Sequence, residues 1–386
     1  MDVFVINRDD MSANYDSNIV SYDSLTWVER YNKPGEFTMI GNPVPLQGQL
    51  PPGTWISHSL SATVMVVEDH IIKESKLHIT GRTLDAFIMD RRVVKNIEAT
   101  WDENDISTDD IRVDTGYETS WWTVKKLLDD ALINSDVASE NVPNLYTFID
   151  SELNVYTESN ITQDVPKKGA PLSDAVYDIL LANDTGLRIE RPWASRHNYS
   201  VIIEGEPAVI PNDSLAFVIH QGVDLTDDFS MLFSWNDGDL MDPRYLWSIK
   251  DLRDSYYVHS YEYTKKYHSS KTGWDCSVAS IDAEDYDPST AEDIYEITQI
   301  LKARGLNHIN RTSGNQILVD AKVTKTATPK FGIDYALGDL VPVLAQYGVS
   351  QTMRVVEYAM ISDKNGHHFI PTLANNYNTS YYSPPV

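Results

Sequence analysis

A histidine pair near the end of the chain is the most promising candidate for metal chemistry. His367 and His368 follow the sequence DKNG, and His308 and Asp363 could complete a set of imidazole and carboxylate ligands. An Asn-Gly pair favours a two-residue hairpin turn, which places the histidines on the returning strand. Adjacent strand residues point to opposite faces, so both rings cannot easily face one ion. We therefore interpret the pair as exposed hairpin residues and predict no metal and no cofactor.

Paired carboxylates are numerous and suggest general acid–base chemistry. Such chemistry needs two carboxyl groups that converge in one cleft with separated pKa values. A net charge of −26 makes neighbouring acids common by composition alone, so we interpret the pairs as solvated loops and helix faces. Residues 235–242 and 282–287 could hold calcium, but neither matches the EF-hand spacing, and Asx turns are the simpler interpretation. The acidic pairs are Asp9-Asp10, Asp109-Asp110, Asp129-Asp130 and Asp227-Asp228.

Motifs for nucleophilic catalysis and phosphate binding are missing from the sequence. It contains no GxSxG elbow, P-loop or GxGxxG. Cys276 is the single cysteine, so an internal disulfide is impossible. Pairing of this thiol with a distant histidine stays open, but a partly buried free thiol is the interpretation we favour. The sequence predicts no catalytic residue.

Aromatic residues leave a carbohydrate-binding alternative open. The chain has 22 tyrosines and 9 tryptophans, and residues 256–268 read YYVHSYEYTKKYH. Strand alternation would place a row of these tyrosines on one side. Stacked aromatics suit a cell-wall sugar, but subunit interfaces are also rich in tyrosine and tryptophan. We favour the interface.

Charge and length restrict the class of protein. A chain of 386 residues is expected to form two to four structural units. Its 31 basic against 57 acidic residues argue against sequence-independent nucleic-acid binding and against adhesion to anionic membranes. The N-terminus lacks the features of a secretory signal, and no apolar run is long enough for a membrane anchor. We expect synthesis and folding in a cytoplasm.

Short apolar runs rich in β-branched and aromatic residues dominate residues 1–98. Clusters containing Gly and Pro separate them, which is typical of closely spaced antiparallel strands. Partial alternation of apolar and polar residues indicates one buried face per strand. The pattern predicts a small barrel or sandwich built from VFVIN, SLTWVERY, EFTMIG, SATVMVVEDH and KLHITGR.

Helical spacing marks residues 99–225, which we interpret as a mixed α+β insertion. Two helices are predicted, in SWWTVKKLLDDALIN and in APLSDAVYDILLANDTG. Ser173 is the expected N-cap of the second helix and Gly186 its stop. LRIERPWASRHNYSVIIEGE predicts a hairpin, and SLAFVIH a further strand.

Strand patterns return after residue 226. A helix predicted in AEDIYEITQILKARG should end at Gly305. Gly338-Asp339 is a tight turn before LVPVL, in which Pro342 indicates an edge strand or a bulge. TMRVVEYAMISD and HHFIPTL form the last hairpin, and residues 375–386 a tail without a core of its own.

Several of these stretches, in this order, resemble phage tail-tip baseplate hub proteins, the N-terminal module of siphophage tail-associated lysins. In LHITGRTLDAFIMDRRVV, a strand ends at Gly81-Arg82 and a short helix follows with Leu84, Phe87 and Ile88 before Arg91-Arg92. WVERYNKPGEFTM, with Glu29 after its aromatic residue, fits the first barrel. LGDLV, RVVEY, the DKNG turn and the Pro-Thr-Leu ending resemble the C-terminal barrel segment.

The resemblance implies a fold that is mainly β with α+β insertions. Its two small barrels, of the T4-type hub fold, are related by pseudo-symmetry and carry smaller inserted domains. The resulting division is a first barrel in residues 1–98, an insertion in 99–225, a β-rich segment completing the first barrel and starting the second in 226–285, a helix with the second barrel in 286–374, and a tail in 375–386.

The resemblance also implies a structural role in the virion, at the tip of the tail. Such proteins form a homotrimer whose six barrels match a sixfold distal tail ring and close the tube around the C-terminus of the tape-measure protein. Tail fibres or receptor-binding proteins are further partners, and DNA passes the ring on infection. Many members continue into cell-wall-cleaving domains, whereas this chain stops near residue 386, so we expect no enzyme. The alternatives are a tail-associated cell-wall hydrolase and a glycan-binding receptor protein.

Overall fold

The computed structural model describes the chain in segments separated by gaps. These segments are residues 1–9, 11, 13–14, 22–94, 120–135, 138–149, 169–191, 201–203, 206–208, 214–226, 233–234, 240–249, 255–259, 263–267, 278–283, 294–312, 315–323, 330–344 and 350–374. Strand is the main secondary structure, which confirms the mainly β prediction.

Twenty-one strands and five α-helices are present in these segments. The strands are β1 Val3–Ile6, β2 Ala13–Asn14, β3 Ser24–Arg30, β4 Glu36–Gly41, β5 Trp55–His58, β6 Met65–Lys73, β7 Lys76–Thr83, β8 Leu145–Ile149, β9 Gly186–Glu190, β10 Val201–Ile203, β11 Glu206–Ala208, β12 Leu215–His220, β13 Phe233–Ser234, β14 Leu240–Ile249, β15 Ser255–His259, β16 Thr264–Tyr267, β17 Val278–Asp282, β18 Asn315–Val323, β19 Leu340–Leu344, β20 Ser350–Asp363 and β21 Gly366–Ala374.

The helices are distributed between the strands. They are α1 Pro43–Gln49, α2 Leu84–Met89, α3 Ser120–Leu128, α4 Leu172–Ala182 and α5 Ile294–Thr312, with a π-helical continuation of α3 at Asp129–Ile133 and a 3₁₀ turn at Ala138–Glu140. Within the described ranges, no helix combines the length and the apolar character needed to cross a membrane.

One 13-stranded sheet joins the two ends of the chain. Its strands follow the order β14-β18-β21-β20-β3-β4-β7-β6-β5-β1-β2, and β13 and β19 branch from β20. The long strand β20 pairs with β19 through its first part and with β3 through its second part. The pairings between described residues form an open path, so closure into two pseudo-symmetric barrels stays a prediction.

One apolar core of this sheet is formed by residues of β3, β4, β7 and β20. Trp27 and Phe37 stack with ring centroids 5.9 Å apart, and both are fully buried. Tyr358 and Met360 of β20 pack into the same cluster. Apolar contacts therefore join residues more than 300 positions apart in sequence.

Helix α1, strand β5 and the short strand β2 of the first region were not predicted. Helix α1 begins after Asn42, whose side chain accepts a hydrogen bond from the amide of Val44 at 3.3 Å. We had interpreted GNPVP as a turn cluster, but proline in a first helical turn costs no hydrogen bond. Strand β5 pairs with β1 and β6. Its sequence, WISH, is too short to show a period.

A second, three-stranded sheet has the order β8-β12-β9 and packs against α3 and α4. Trp121, Val124 and Leu128 of α3 and Val176 and Leu180 of α4 are buried in one cluster with the strands. Both predicted helices and the SLAFVIH strand are confirmed. The same cluster includes Val64, Val66, Leu84 and Met89, so this α+β unit packs directly onto the main sheet.

Four local predictions in these regions were wrong. Pro171 is the N-cap of α4 and makes no side-chain cap, whereas Ser173 lies inside the helix. Helix α4 ends at Ala182 with Asn183 as its C-cap, and Gly186 begins β9, which pairs with β12 rather than with β10. Helix α5 continues through Gly305, because one glycine costs only about 1 kcal/mol in a helix interior.

The predicted C-terminal hairpin that carries His367 and His368 is confirmed. Strands β20 and β21 pair in antiparallel register down to Asp363 opposite Gly366. The two loop residues are therefore Lys364 and Asn365, one position earlier than an Asn-Gly turn would place them. Pro342 pairs with Thr352 of β20, whereas the short β13 pairs with β19 only at Val343 and Leu344, so among the described strands Pro342 itself lies at an edge.

Candidate functional site: a buried joint beside a cleft

A buried arginine lies where the main sheet meets the α+β unit. Arg354 of β20 is 2% exposed and forms an ion pair with Asp184, which follows α4. It also donates to the carbonyl of Gly338, in the turn before β19. One guanidinium therefore connects a sheet strand, the α+β unit and the turn, and the bidentate shape of arginine suits this role.

Tyr31, directly after β3, fills the space beside this ion pair. Its hydroxyl donates to the carbonyl of Asp184 at 2.9 Å, and the Arg354 guanidinium lies 5.4 Å from its ring centroid. The ring lies against Gly186 and Gly338, where added Cβ atoms would overlap it. Gly338 has a φ of +93°, a conformation that a residue with a Cβ rarely adopts.

The turn before β19 is held to the chain that leaves β12. The Asp339 carboxylate accepts hydrogen bonds from the amides of Val223 at 2.9 Å and Ala336 at 2.6 Å. Burial raises the pKa of Asp339, and these two hydrogen bonds lower it in part. The Leu340 amide completes the contact by donating to the Val223 carbonyl at 2.9 Å. We call the set Tyr31, Asp184, Gly338, Asp339 and Arg354 the buried joint.

A cleft of about 720 Å³ opens next to the buried joint. The connection between β5 and β6 forms one wall, and β9 forms the other. The walls touch at one end, where the Arg191 amide donates to the Ala62 carbonyl at 3.2 Å. Residues 331–339 line a third side.

Glu29 of β3 lies at the bottom of the cleft and is the acidic residue of the WVERY motif. Its Oε1 accepts hydrogen bonds from the Trp27 indole at 2.9 Å and from the Ser61 hydroxyl. Burial raises the pKa of Glu29, and these donors lower it only in part. Glu190, the other glutamate that lines the cleft, forms an ion pair with Arg188 at 3.0 Å. Both glutamates of the cleft thus have structural partners.

His58 is a buried imidazole in the cleft wall. Its Nδ1 accepts the Leu60 amide at 3.1 Å, and its ring meets Trp27 edge-on with centroids 4.6 Å apart. Burial lowers the pKa of His58 to about 3, aided by the positive charges of the N-terminus and Arg191. This histidine is therefore neutral over the physiological pH range.

His58 makes the stability of the fold sensitive to acid. Between pH 6.5 and 3 the unfolded chain binds a proton at this position and the folded chain does not. Stability therefore falls as the pH falls, with a limiting slope of about 1.4 kcal/mol per pH unit. We expect His58→Asn, whose amide oxygen can accept the Leu60 amide, to lose less stability in acid. Urea unfolding at pH 4 to 8 checks this, and parallel pH profiles for both proteins would contradict it.

The structure separates the histidines of the proposed metal set. His367 Nε2 lies 3.0 Å from the Met1 amino group, whereas His368 Nε2 lies 3.9 Å from Asp363. The Asp363 carboxylate accepts the Asn365 amide at 2.7 Å, which lowers its pKa. The side chain of His308 lies outside the described residues. In the segments that are described, no three metal-ligating side chains converge.

Most other candidates of the sequence fall outside the described residues. This applies to Cys276, to residues 235–239 and 284–287, and to the acidic residues Asp10, Asp109, Asp110, Asp227 and Asp228. Asp129 forms an ion pair with Lys125 and accepts the Thr147 hydroxyl, which fits the predicted helix face. In the tyrosine run, Tyr257 lies 5.4 Å from the Lys266 ammonium group on the neighbouring strand.

Sequence reasoning did not identify the buried joint. Arg354 belongs to the RVVEY motif. A charged residue inside the apolar run MRVVEYAM indicates a buried charge, and a buried charge needs a partner. Its partners Asp184 and Gly338 lie 170 and 16 positions away. Nothing in the local sequence connects them.

Solved structures of tail proteins are similar to this fold over the whole chain. The tail protein from Neisseria meningitidis MC58 is similar over 99% of both chains, with a TM-score of 0.57 and 10% identity. The 43 kDa tail protein of prophage MuSo2 from Shewanella oneidensis is similar over 97% of both chains, with a TM-score of 0.50 and 10% identity. At this identity the likeness concerns the fold.

Sequence comparison gives the family. No curated protein sequence is significantly similar to the chain. Residues 3–373, nearly its full length, match the family described as Siphovirus ReqiPepy6 Gp37-like protein. The chain therefore belongs to this family of siphovirus tail proteins.

Proposed function

We propose that this tail protein is a baseplate hub subunit that forms a homotrimeric ring at the tail tip. The observation that carries the proposal is the continuous sheet, in which β3 and β20 join the N-terminal and C-terminal strands of a tail-family chain. Such an extended sheet suits the wall of a ring better than the support of one small binding site. It supports a structural role in the virion.

The buried joint supplies the rigidity that a ring subunit needs. A ring closes only if each subunit presents its two contact surfaces at a fixed angle. Arg354, Tyr31 and Asp339 fix the α+β unit to the main sheet through an ion pair and hydrogen bonds. The angle between the two units is thus set by buried contacts.

The partners of the proposed ring follow from its place at the tip. Two pseudo-symmetric barrels per subunit would match a sixfold distal tail ring above, and the ring would enclose the C-terminus of the tape-measure protein. Tail fibres or receptor-binding proteins would attach outside. The division at residues 98, 225, 285 and 374 belongs to this proposal. A net charge of −26 would let DNA pass without adhering to the walls.

No residue has a catalytic role in this proposal. The cleft supports a cell-wall hydrolase to the extent that carboxylates line it, among them Glu29 and Glu190. However, Glu190 is ion-paired with Arg188, and Glu29 already accepts two hydrogen bonds. A proton donor for glycoside cleavage must instead reach the substrate oxygen.

Light scattering of the purified protein, followed by electron microscopy of the same peak, tests the proposal. We expect a mass three times the 43.7 kDa of the chain and a ring with a central opening. A monomer at every concentration would contradict the ring. Release of sugars from peptidoglycan that is lost in Glu29→Gln would instead favour the hydrolase.

A further inference from the structure

We infer that the tip of the β6–β7 hairpin is a contact through which each subunit grips a second copy of the chain. We call residues 70–76 the hairpin tip. The inference rests on the proposed ring and adds which surface builds it. It comes from three independent features of the tip, namely its exposed apolar residues, its turn and its charge.

The hairpin tip extends beyond the rest of the sheet. Strand β5 pairs with β6 only at Met65 and Val66, and backbone hydrogen bonds to residues 53 and 54 end at Val67. Further along, no described strand pairs with this edge of β6. Residues 71–76 are six consecutive exposed residues. A free strand edge of this kind is a template for pairing with another chain.

Two large apolar side chains lie at this free edge. Ile71 is 59% exposed and Ile72 is 64% exposed. Ile71 lies opposite His78 and Ile72 opposite Leu77, so they project from opposite faces of the hairpin. The sheet to which the hairpin belongs cannot bury both faces of its own tip. A partner surface that receives the tip from both sides would bury both side chains.

The turn of the hairpin has a backbone conformation that disfavours its two residues, Glu74 and Ser75. Glu74 and Ser75 connect Lys73 to Lys76 with φ values of +53° and +63°. A two-residue turn with both φ values positive strongly prefers Asn-Gly, because a Cβ disfavours this conformation. Backbone strain of this kind clusters at functional positions of proteins.

Charge identifies the partner as a second copy. Lys73 and Lys76 flank the turn and outnumber its one acidic residue, Glu74. Lys76 also forms an ion pair with Asp23 at 2.7 Å. The chain as a whole has 57 acidic and 31 basic residues, so each copy carries a large negative net charge. An apolar tip flanked by two lysines complements such a charge. Contact of a tip with a different surface of the next copy is heterologous, and such a contact gives a ring when the rotation between copies closes.

The main test is the double substitution Ile71→Ser/Ile72→Ser. We expect the concentration at which the trimer dissociates to rise at least about tenfold, because the tip no longer buries two apolar side chains. Mass photometry across a dilution series measures it, and circular dichroism confirms that each variant folds. The matched control is Ile294→Ser, which removes an isoleucine that is 67% exposed at the start of α5. We expect this control to assemble as the wild type does.

Two further variants separate contact from folding. Lys73→Glu should weaken the trimer at low salt, and added salt should restore part of the loss, because salt screens repulsion from an acidic partner. Glu74→Asn/Ser75→Gly relieves the turn while keeping both isoleucines. It should raise thermal stability and leave the trimer intact.

Each outcome assigns the result to one of the two proposals. If the wild type is monomeric at all concentrations, the ring fails, and the contact fails with it. If the wild type is trimeric and both Ile71→Ser/Ile72→Ser and Lys73→Glu assemble normally, the ring stands and only the hairpin contact is wrong. Equal weakening by Ile294→Ser would also overturn the specific role of the tip.

Discussion

Replacement of Arg354 by methionine is expected to lower the free energy of unfolding by about 3 kcal/mol. Methionine keeps the length of the aliphatic stem but removes the charge and the donors. The Asp184 carboxylate and the Gly338 carbonyl then lose their partner in the buried joint. Removing one member of a buried pair costs about 3–5 kcal/mol, and the Asp184 side chain, 23% exposed, recovers some hydration.

Urea unfolding of wild type and variant measures this loss. The control is Lys76→Met, which breaks an ion pair with Asp23 between two exposed side chains and should cost no more than about 1 kcal/mol. Adding Asp184→Asn to Arg354→Met should recover part of the loss, since no unpaired charge then remains. A loss for Arg354→Met no larger than that of the control would show that the buried joint does not hold the two units together.

The same residues explain what could be predicted from the sequence. The runs SLTWVERY, KLHITGR and TMRVVEYAMISD predicted β3, β7 and β20 nearly to the residue. Their order along the chain does not show that β20 pairs with β3, because that contact joins residues more than 300 positions apart. The strands were therefore predictable, but the single sheet was not.

Helix boundaries failed where tertiary contacts override local preference. Gly186 was expected to end α4, yet it begins β9 because the Tyr31 ring occupies the place of a side chain there. The lack of room for a Cβ beside the Tyr31 ring, and not helix termination, requires glycine at position 186. Gly305 was expected to end α5, yet Ile297 and Leu301 pack against β15 and the helix continues past it.

The candidate site was not predictable for a related reason. Histidines and paired acids draw attention because their chemistry is versatile, whereas Tyr31, Asp184 and Arg354 are far apart in sequence. Glu29 was noted only as the acidic residue of a motif. Its hydrogen bond with the Ser61 hydroxyl depends on the path of the β5–β6 connection. Contacts between residues that are far apart in sequence can be identified only from the fold that brings them together.

The second large loss of stability is expected at Gly222, where two backbone segments approach closely. The chain leaving β12 passes so near the turn before β19 that a Cβ at position 222 would overlap the carbonyl group of Gly338. Gly222 itself does not have a positive φ, so only this contact requires glycine. Gly222→Ala must push the two segments apart and stretch the bonds that Val223 makes with Asp339 and Leu340. We expect a loss of about 2–3 kcal/mol, typical of overpacking at a rigid contact.

The same substitution at Gly48 is the control, because its sign should be opposite. Gly48 lies in α1, where a Cβ meets no atom within 4 Å. Alanine there should raise stability by about 0.5–1 kcal/mol through its better helix propensity. Urea unfolding of both variants compares them directly. If Gly222→Ala unfolds at the wild-type urea concentration, the segments are free to separate, and the buried joint cannot fix the angle that a closed ring requires.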